Sequence, residues 1–243
     1  MRLHAEVLPI AGITADTREC MFALMDAHYA HVRREHFDRD LNEKQWAIIV
    51  HDTAGNVRGF STLALFDSAV DGRVVRILFS GDTVVERQYW GDPALAAAWG
   101  TFARSAVDEH PGAELYWLLI SKGFRTYRYL PLFFREFYPR HDRPTPDALQ
   151  RVLDAAARSR FATNYDAANG LVRGDWAKDR LRPELAGIPP GRLSDPHVRY
   201  FVARNPHYAD GDELCCLAPV TPDNFTAAAV RVMGSRHLAS LGN

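Results

Sequence analysis

The stretch FSGDTVVERQYWGDP, residues 79–93, runs from a strand-like segment through a turn into a helix start. Backbone amides at such a junction point toward an anion, and the helix dipole favours negative charge there. Arg87 adds a cation, Gln88 an amide, and Gly91 room for close approach, a combination suited to a phosphate. Asp92 argues the other way. Its carboxylate can satisfy the same helix-end amides, and a cap of this type contributes roughly 1 kcal/mol with no ligand present. A phosphate site and a plain capped connection both remain open. Asp82 lies beside Gly81 in the strand, between apolar Phe79 and Val84. Burial there raises a carboxyl pKa toward a range useful in proton transfer, whereas a strand-edge aspartate bonded to nearby amides does nothing chemical.

Further polar groups recur at informative spacing. His28, His31 and Glu35 share one helical face, with His36 next in line. That spacing can hold a metal, but no second cluster of Cys or His supports it, so no metal is expected. The same face can instead line a cleft, where His28 or His31 exchanges protons, or meet solvent. Lys122, Arg125 and Arg128 form a short basic cluster. It suits a phosphate, an acidic protein helix or a carboxylate gripped by bidentate Arg, and equally a solvated helix start. Asp40 and Glu43, just before an apolar strand, are substrate contacts or an ordinary polar loop.

The composition narrows the classes. Of 243 residues, 47% are apolar and 24% charged, which supports a globular core. A net charge of −1 gives no global drive toward nucleic acid or membrane, and no apolar run reaches spanning length. Three cysteines, with Cys215 and Cys216 adjacent, give neither a disulfide framework nor a metal spacing. A reducing, cytoplasmic setting is the expectation. No Walker loop, dinucleotide fingerprint, zinc-protease helix or nucleophile elbow is present.

These groups need elements to hold them. Asp16 with Glu19 reads as a capping box, and Met21, Phe22, Met25, Tyr29 and Val32 predict an amphipathic helix over 16–34. QWAIIVHD, VRGFSTLALFD and VVRILFSGDTVV, separated by Ala54-Gly55-Asn56 and Asp71-Gly72, predict an antiparallel meander. Asp92-Pro93 then opens a helix that His110-Pro111-Gly112 stops, and ELYWLLI reads as a strand covered on both faces. Strand, helix, strand implies a parallel pair. Thr145-Pro146 opens a further helix, HVRYFVA and ELCCLAPV predict a last hairpin, and Thr221-Pro222 opens a final helix. The expectation is a single domain over 1–243, of α/β (α+β) class: a mixed, mainly antiparallel sheet with a central parallel pair flanked by helices. Residues from about 141 to 196 form a partly helical insertion.

This order of elements resembles the GNAT superfamily of N-acetyltransferase-like acyltransferases, over roughly residues 1–140 plus the last hairpin. Gly81 sits where that family carries a β-bulge, VVERQYWGDP where it places its pyrophosphate loop, and SKGFRTYRYLPLFFREFYP where it places an acceptor-side helix. The resemblance implies acyl transfer from a thioester, acetyl-CoA or another acyl-CoA or an acyl carrier protein, to a small amine by direct attack. It implies Asp82 as general base. Val84, Val85, Arg87, Gln88, Gly91, Lys122 and Arg125 would hold the donor, and His28, His31 and Arg128 the acceptor. The family's proton donor is usually a tyrosine. Phe134 stands at that place here, so Tyr127 is the expected substitute, with Tyr129 and Tyr138 nearby. Asp92 and Phe134 also fit a GNAT-shaped protein that binds an acyl compound or a protein without catalysis.

Overall fold

Alternating apolar residues and two tight turns fold residues 46–85 back and forth; at the second turn Asp71 and Gly72 take φ of 51° and 78°, as a two-residue hairpin requires. The computed structural model describes residues 3–174 and 179–233. It begins with β1 (His4–Pro9), α1 (Ala15–His28), β2 (Tyr29–Ala30) and α2 (Arg34–Asn42). The meander follows as β3 (Trp46–His51), β4 (Val57–Val70) and β5 (Arg73–Val85). Then α3 (Ala94–Asp108) leads to β6 (Leu115–Ser121), α4 (Phe124–Tyr127) and α5 (Tyr129–Phe133). Next come α6 (Asp147–Phe161), β7 (Tyr165–Asp166), β8 (Leu171–Val172), β9 (Arg180–Leu181) and α7 (Pro183–Ala186). The described chain ends with α8 (Pro196–Arg204), β10 (Glu213–Pro219) and α9 (Ala227–Met233).

The main sheet has the order β1-β3-β4-β5-β6-β10-β8-β7. Every pair in it is antiparallel except β5 with β6, near its middle. This is the mixed sheet that the sequence predicts. Helices cover both faces. On one, Trp99 and Ala103 of α3 pack with Leu78, Trp117, Phe134 and Phe225. On the other, Val152, Leu153, Ala156 and Ala157 of α6 meet Ile77, Phe79 and Leu118. Met21, Leu24 and Phe37 of α1 and α2 complete that second cover against Ile49 and Phe60. Cys215 and Cys216 point to opposite faces of β10, one into each core, as strand neighbours must, and both are free thiols.

Several expectations change. The helix predicted over 16–34 stops at His28, and the chain extends through Tyr29 before His31 takes φ 65° and α2 begins. Its cap is Thr14, whose hydroxyl accepts from the Thr17 amide, not Asp16. HVRYFVA is helix α8 instead of a strand. Asp195 caps it, Pro196 starts it, and Val198 and Phe201 bury at helical spacing. The predicted final hairpin is therefore absent, and β10 pairs with β6 and β8. Strand β1 was not anticipated; it adds an edge beside β3. Within residues 141–196, expected as an insertion, β7 and β8 extend the main sheet, while residues 175–178 lie outside the described residues.

Candidate active site

The parallel pairing of β5 with β6 runs from Arg76 opposite Leu115 to Ser80 opposite Leu119, and there it stops. Both strands continue, to Val85 and Ser121. Ser80 is pinned at the parting point, where its hydroxyl accepts the indole N–H of Trp99 and of Trp117 at 3.0 and 2.9 Å. Just beyond it, the β4–β5 register shifts, so that Thr62 alone faces Gly81 and Asp82. An extra residue of this kind bends its strand, and here the bend falls where β5 leaves β6. Only glycine fits at the bend, since a Cβ on Gly81 would stand 2.5 Å from Thr62 Oγ1. Between the parted strands opens a cavity of about 870 Å³, with Asp82, Val84 and Val85 on one wall and Ile120 and Lys122 on the other.

Charged groups crowd the inner end of this cavity. Asp82 has a carboxyl pKa pushed up to about 7, by burial first and then by the nearby negative charge of Asp40. Asp40 stays below the usual carboxylate range despite its own burial, because the ammonium of Lys44 lies 2.6 Å from its Oδ2. Arg160 reaches Glu43 at 3.3 Å and Asp40 at 4.0 Å. Opposite them, Lys122 lies 2.5 Å from Asp179 and 3.5 Å from Glu213, over the ring of Tyr29. Burial alone would lower the Lys122 pKa, but Glu213 and Asp179 hold it well above the ordinary value. Among the described residues no group of His, Cys, Asp and Glu is arranged to hold a metal.

The expected donor residues divide. Val84, Val85, Gly91, Lys122 and Arg125 line the cavity; Arg87 and Gln88 do not. Gln88 donates to Glu86, and Arg87 lies 5.9 Å from the centroid of the Trp90 ring. Lys122 is committed to two carboxylates and is no free phosphate ligand. Arg125 donates to the Leu185 carbonyl and packs 4.3 Å from the Trp90 ring centroid. Asp92 accepts from the Ala94 amide at 2.9 Å, so its carboxylate does occupy the start of α3.

His28, His31 and Arg128 all line the cavity. The Nδ1 of His28 meets the Leu24 carbonyl at 2.9 Å, and since a carbonyl only accepts, Nδ1 is the donor of this bond. Arg128 pairs with Asp195 at 3.3 Å. Tyr127 is a correction. It is 0% exposed, packed against Phe137 and Phe201, and its hydroxyl donates to the Pro139 carbonyl, away from the cavity. The tyrosine of this segment that lines the cavity is Tyr129, whose phenol pKa burial raises. Phe134 is core, against Trp99, Trp117 and Phe225.

Sequence reasoning did not find Tyr29, Lys44, Arg160, Asp179 or Glu213, which arrive from five separate elements or loops. Lys44 carried one usable signal, four residues after Asp40, a spacing that pairs charges on one helical turn. Trp90, inside the predicted turn, donates its indole N–H to the Val85 carbonyl at 2.8 Å.

No protein-family model matches the chain, and no curated protein matches its sequence. Among solved structures it is similar to a GNAT family N-acetyltransferase from Escherichia coli in complex with CoA, at 16% identity and TM-score 0.37, over 50% of this chain and 65% of that one. It is similar to a GCN5-related N-acetyltransferase from Kribbella flavida at 13% identity and TM-score 0.41, over 56% of this chain and 34% of that one. It is also similar to the NatC complex bound to Gag peptide and CoA, at 15% identity and TM-score 0.42, over 91% of this chain and 100% of that one. The chain thus spans less than two thirds of the length of the first two.

Proposed function

We propose that the cavity is the active site of an acyltransferase that moves an acyl group from a thioester, an acyl-CoA or an acyl carrier protein, to a small amine. The observation that carries this reading is the parting of β5 from β6 beside Gly81, with Asp82 at the bend. Past Ser80 the facing edges of β5 and β6 no longer pair with each other, and an extended arm bearing amides can take that place. Such an arm lying along Val84 and Val85 brings its reactive end to Asp82. The amine nitrogen attacks the thioester carbonyl carbon, Asp82 takes the N–H proton, and the C–S bond breaks. Tyr129 supplies a proton to the departing thiolate. His28 and His31, which both line the cavity, orient the amine. No covalent enzyme intermediate is needed, and proximity provides most of the acceleration.

The test is release of free thiol from acetyl-CoA, longer acyl-CoAs and an acylated carrier across a broad amine panel. Amine-dependent release that Asp82→Asn abolishes supports the reading. A second reading, an acyl-binding protein without turnover, is favoured by the Trp90 indole seated on the Val85 carbonyl and by Asp92 at the start of α3. Saturable donor binding with no thiol release on any amine selects it. Absence of any thioester binding removes both.

A further inference from the structure

Helix α2 runs along the cavity and presents two unlike ends to it. Arg33, His36, Arg39, Asp40, Glu43 and Lys44 line the cavity, at steps of three and four residues that keep them on one side of the helix. The other side is tied down: Arg34 pairs with Glu19 of α1 and with Asp38, and Arg18 of α1 donates to Asn42. On the cavity side, Lys44 holds Asp40 and Arg160 holds Glu43. Arg33, His36 and Arg39 are exposed, and their side chains have no hydrogen-bond or ion-pair partner among the described residues. Around Asp82 the charge balance has the opposite sign. Asp40, Glu43, Asp82, Asp179 and Glu213 share that end with Lys44, Lys122 and Arg160, five carboxylates against three cations. Charges segregated in this way along a cavity draw an ammonium to one end and an anion to the other. From Asp40 to Arg33 the helix rises about 10 Å.

We propose that Arg33, His36 and Arg39 bind an oxyanion at the far end of the acceptor, so that the amine acylated beside Asp82 belongs to a molecule carrying a carboxylate or phosphate several bonds away. The proposal rests on the acyl-transfer reading above and names the acceptor class for it. The two arginines supply planar forks of N–H donors suited to either oxyanion, and His36 lies one helical turn from each. An α-amino acid fits poorly, because its carboxylate would stand beside Asp82, among Asp40 and Glu43. A diamine fits poorly for the complementary reason, since its second ammonium would meet Arg33 and Arg39.

Thiol release from acetyl-CoA, or from an acetylated carrier where that is the donor, tests this with hexylamine, 6-aminohexanoate, 6-aminohexyl phosphate, 1,6-diaminohexane and glycine as acceptors. The kcat/KM for 6-aminohexanoate or 6-aminohexyl phosphate should exceed that for hexylamine at least about tenfold, as expected for hydrogen bonds to a charged group. The better of the two identifies the oxyanion. Neither 1,6-diaminohexane nor glycine should show such a gain. R33A/R39A removes exposed side chains that anchor nothing among the described residues, and circular dichroism checks its fold. That double variant should erase the gain, and R33E/R39E should reverse the order, placing 1,6-diaminohexane above both acids. The proposal fails if no oxyanion-bearing amine outruns hexylamine, or if R33A/R39A keeps the preference. It fails too if glycine shares the gain, which would put the oxyanion site beside Asp82. Calorimetry with the N-acetylated forms of hexylamine and of the two acids needs no turnover, and so separates the subsite from the reaction. Thiol release without an oxyanion preference removes the subsite alone. Tighter binding of an acetylated acid that R33A/R39A abolishes, with no thiol released on any amine, sustains the subsite and removes the transfer reading. Absence of both removes both.

Discussion

Asp82 decides how the proposed reaction responds to pH. A base must be ionised, and this carboxyl is held up to about 7 by burial and by Asp40. The rate under kcat/KM conditions should therefore rise about tenfold per pH unit below 7 and flatten above it, with an acceptor amine whose own pKa lies outside that window. Asp82→Asn should remove both the rate and this limb. The stability consequence has the opposite sense. The folded state prefers neutral Asp82, so the stabilisation is complete below the ordinary aspartate range and is lost as pH rises through about 7. Thermal melts from pH 4 to 8 should show wild type losing stability relative to Asp82→Asn. The tyrosines separate structural from chemical roles in the same way. Tyr127→Phe forfeits one buried hydrogen bond to the Pro139 carbonyl, about 1 kcal/mol, and should leave kcat within twofold. Tyr129→Phe should lower kcat by about 10²-fold with a smaller change in Tm. Asp82 stands out in the sequence because an acid in an apolar strand is conspicuous, and the structure places it at the cavity wall. Which tyrosine faces the cavity is not legible in the sequence, because Tyr127 and Tyr129 differ only in the side of a two-turn segment they occupy, and Pro131 hides that phase.

At the level of elements, the bend in β5 is the feature on which the cavity depends. Gly81→Val places a side chain against Thr62 Oγ1, Lys44 Cε and the Phe79 ring. The cost is about 1–3 kcal/mol of overpacking, read as a fall in Tm, together with loss of donor binding. Thr62→Ala added to Gly81→Ala should recover part of the lost stability, since it removes the nearest obstacle. The meander, α3 and β6 were legible because periodicity and turn residues are local signals, and Gly81 marked the bend. Helix α8 reads as a strand in the sequence because VRYFV satisfies both an apolar strand and a helix face; the Asp195 cap and the Pro196 start settle it as helix. Short pieces such as β2, β7, β8 and β9 have two residues each, below any periodic signature, and exist only through their partners. The basic cluster shows the same dependence. Lys122, Arg125 and Arg128, which the sequence leaves open between ligand binding and a solvated helix start, each contact residues 179–195, through Asp179, the Leu185 carbonyl and Asp195 respectively.

Taken as a whole, the molecule closes its cavity by tying two distant parts of the chain together. Strand β9 pairs with β2, the Arg182 amide donates to the His28 carbonyl, and the Arg182 guanidinium donates to the Asp26 carbonyl. Lys122 joins the same closure from the sheet side, buried between Asp179 and Glu213. Residues 179–192 and the end of α1 therefore form one wall over the splayed strands, and a ligand lying beneath touches both. Lys122→Ala removes the ammonium that Asp179 and Glu213 both contact, at a cost of about 3 kcal/mol. Its effect should appear far from residue 122. Hydrogen exchange at the amides of residues 28–31 and 180–186 should accelerate together in Lys122→Ala, because opening one strand of the β2–β9 pair opens the other. Donor binding to wild type should slow exchange in both segments in parallel, whereas β1 and the β3–β4 hairpin, outside the wall, should not respond. Protection confined to residues 180–186, with 28–31 unchanged, would show that the wall is two independent flaps and not a single closure.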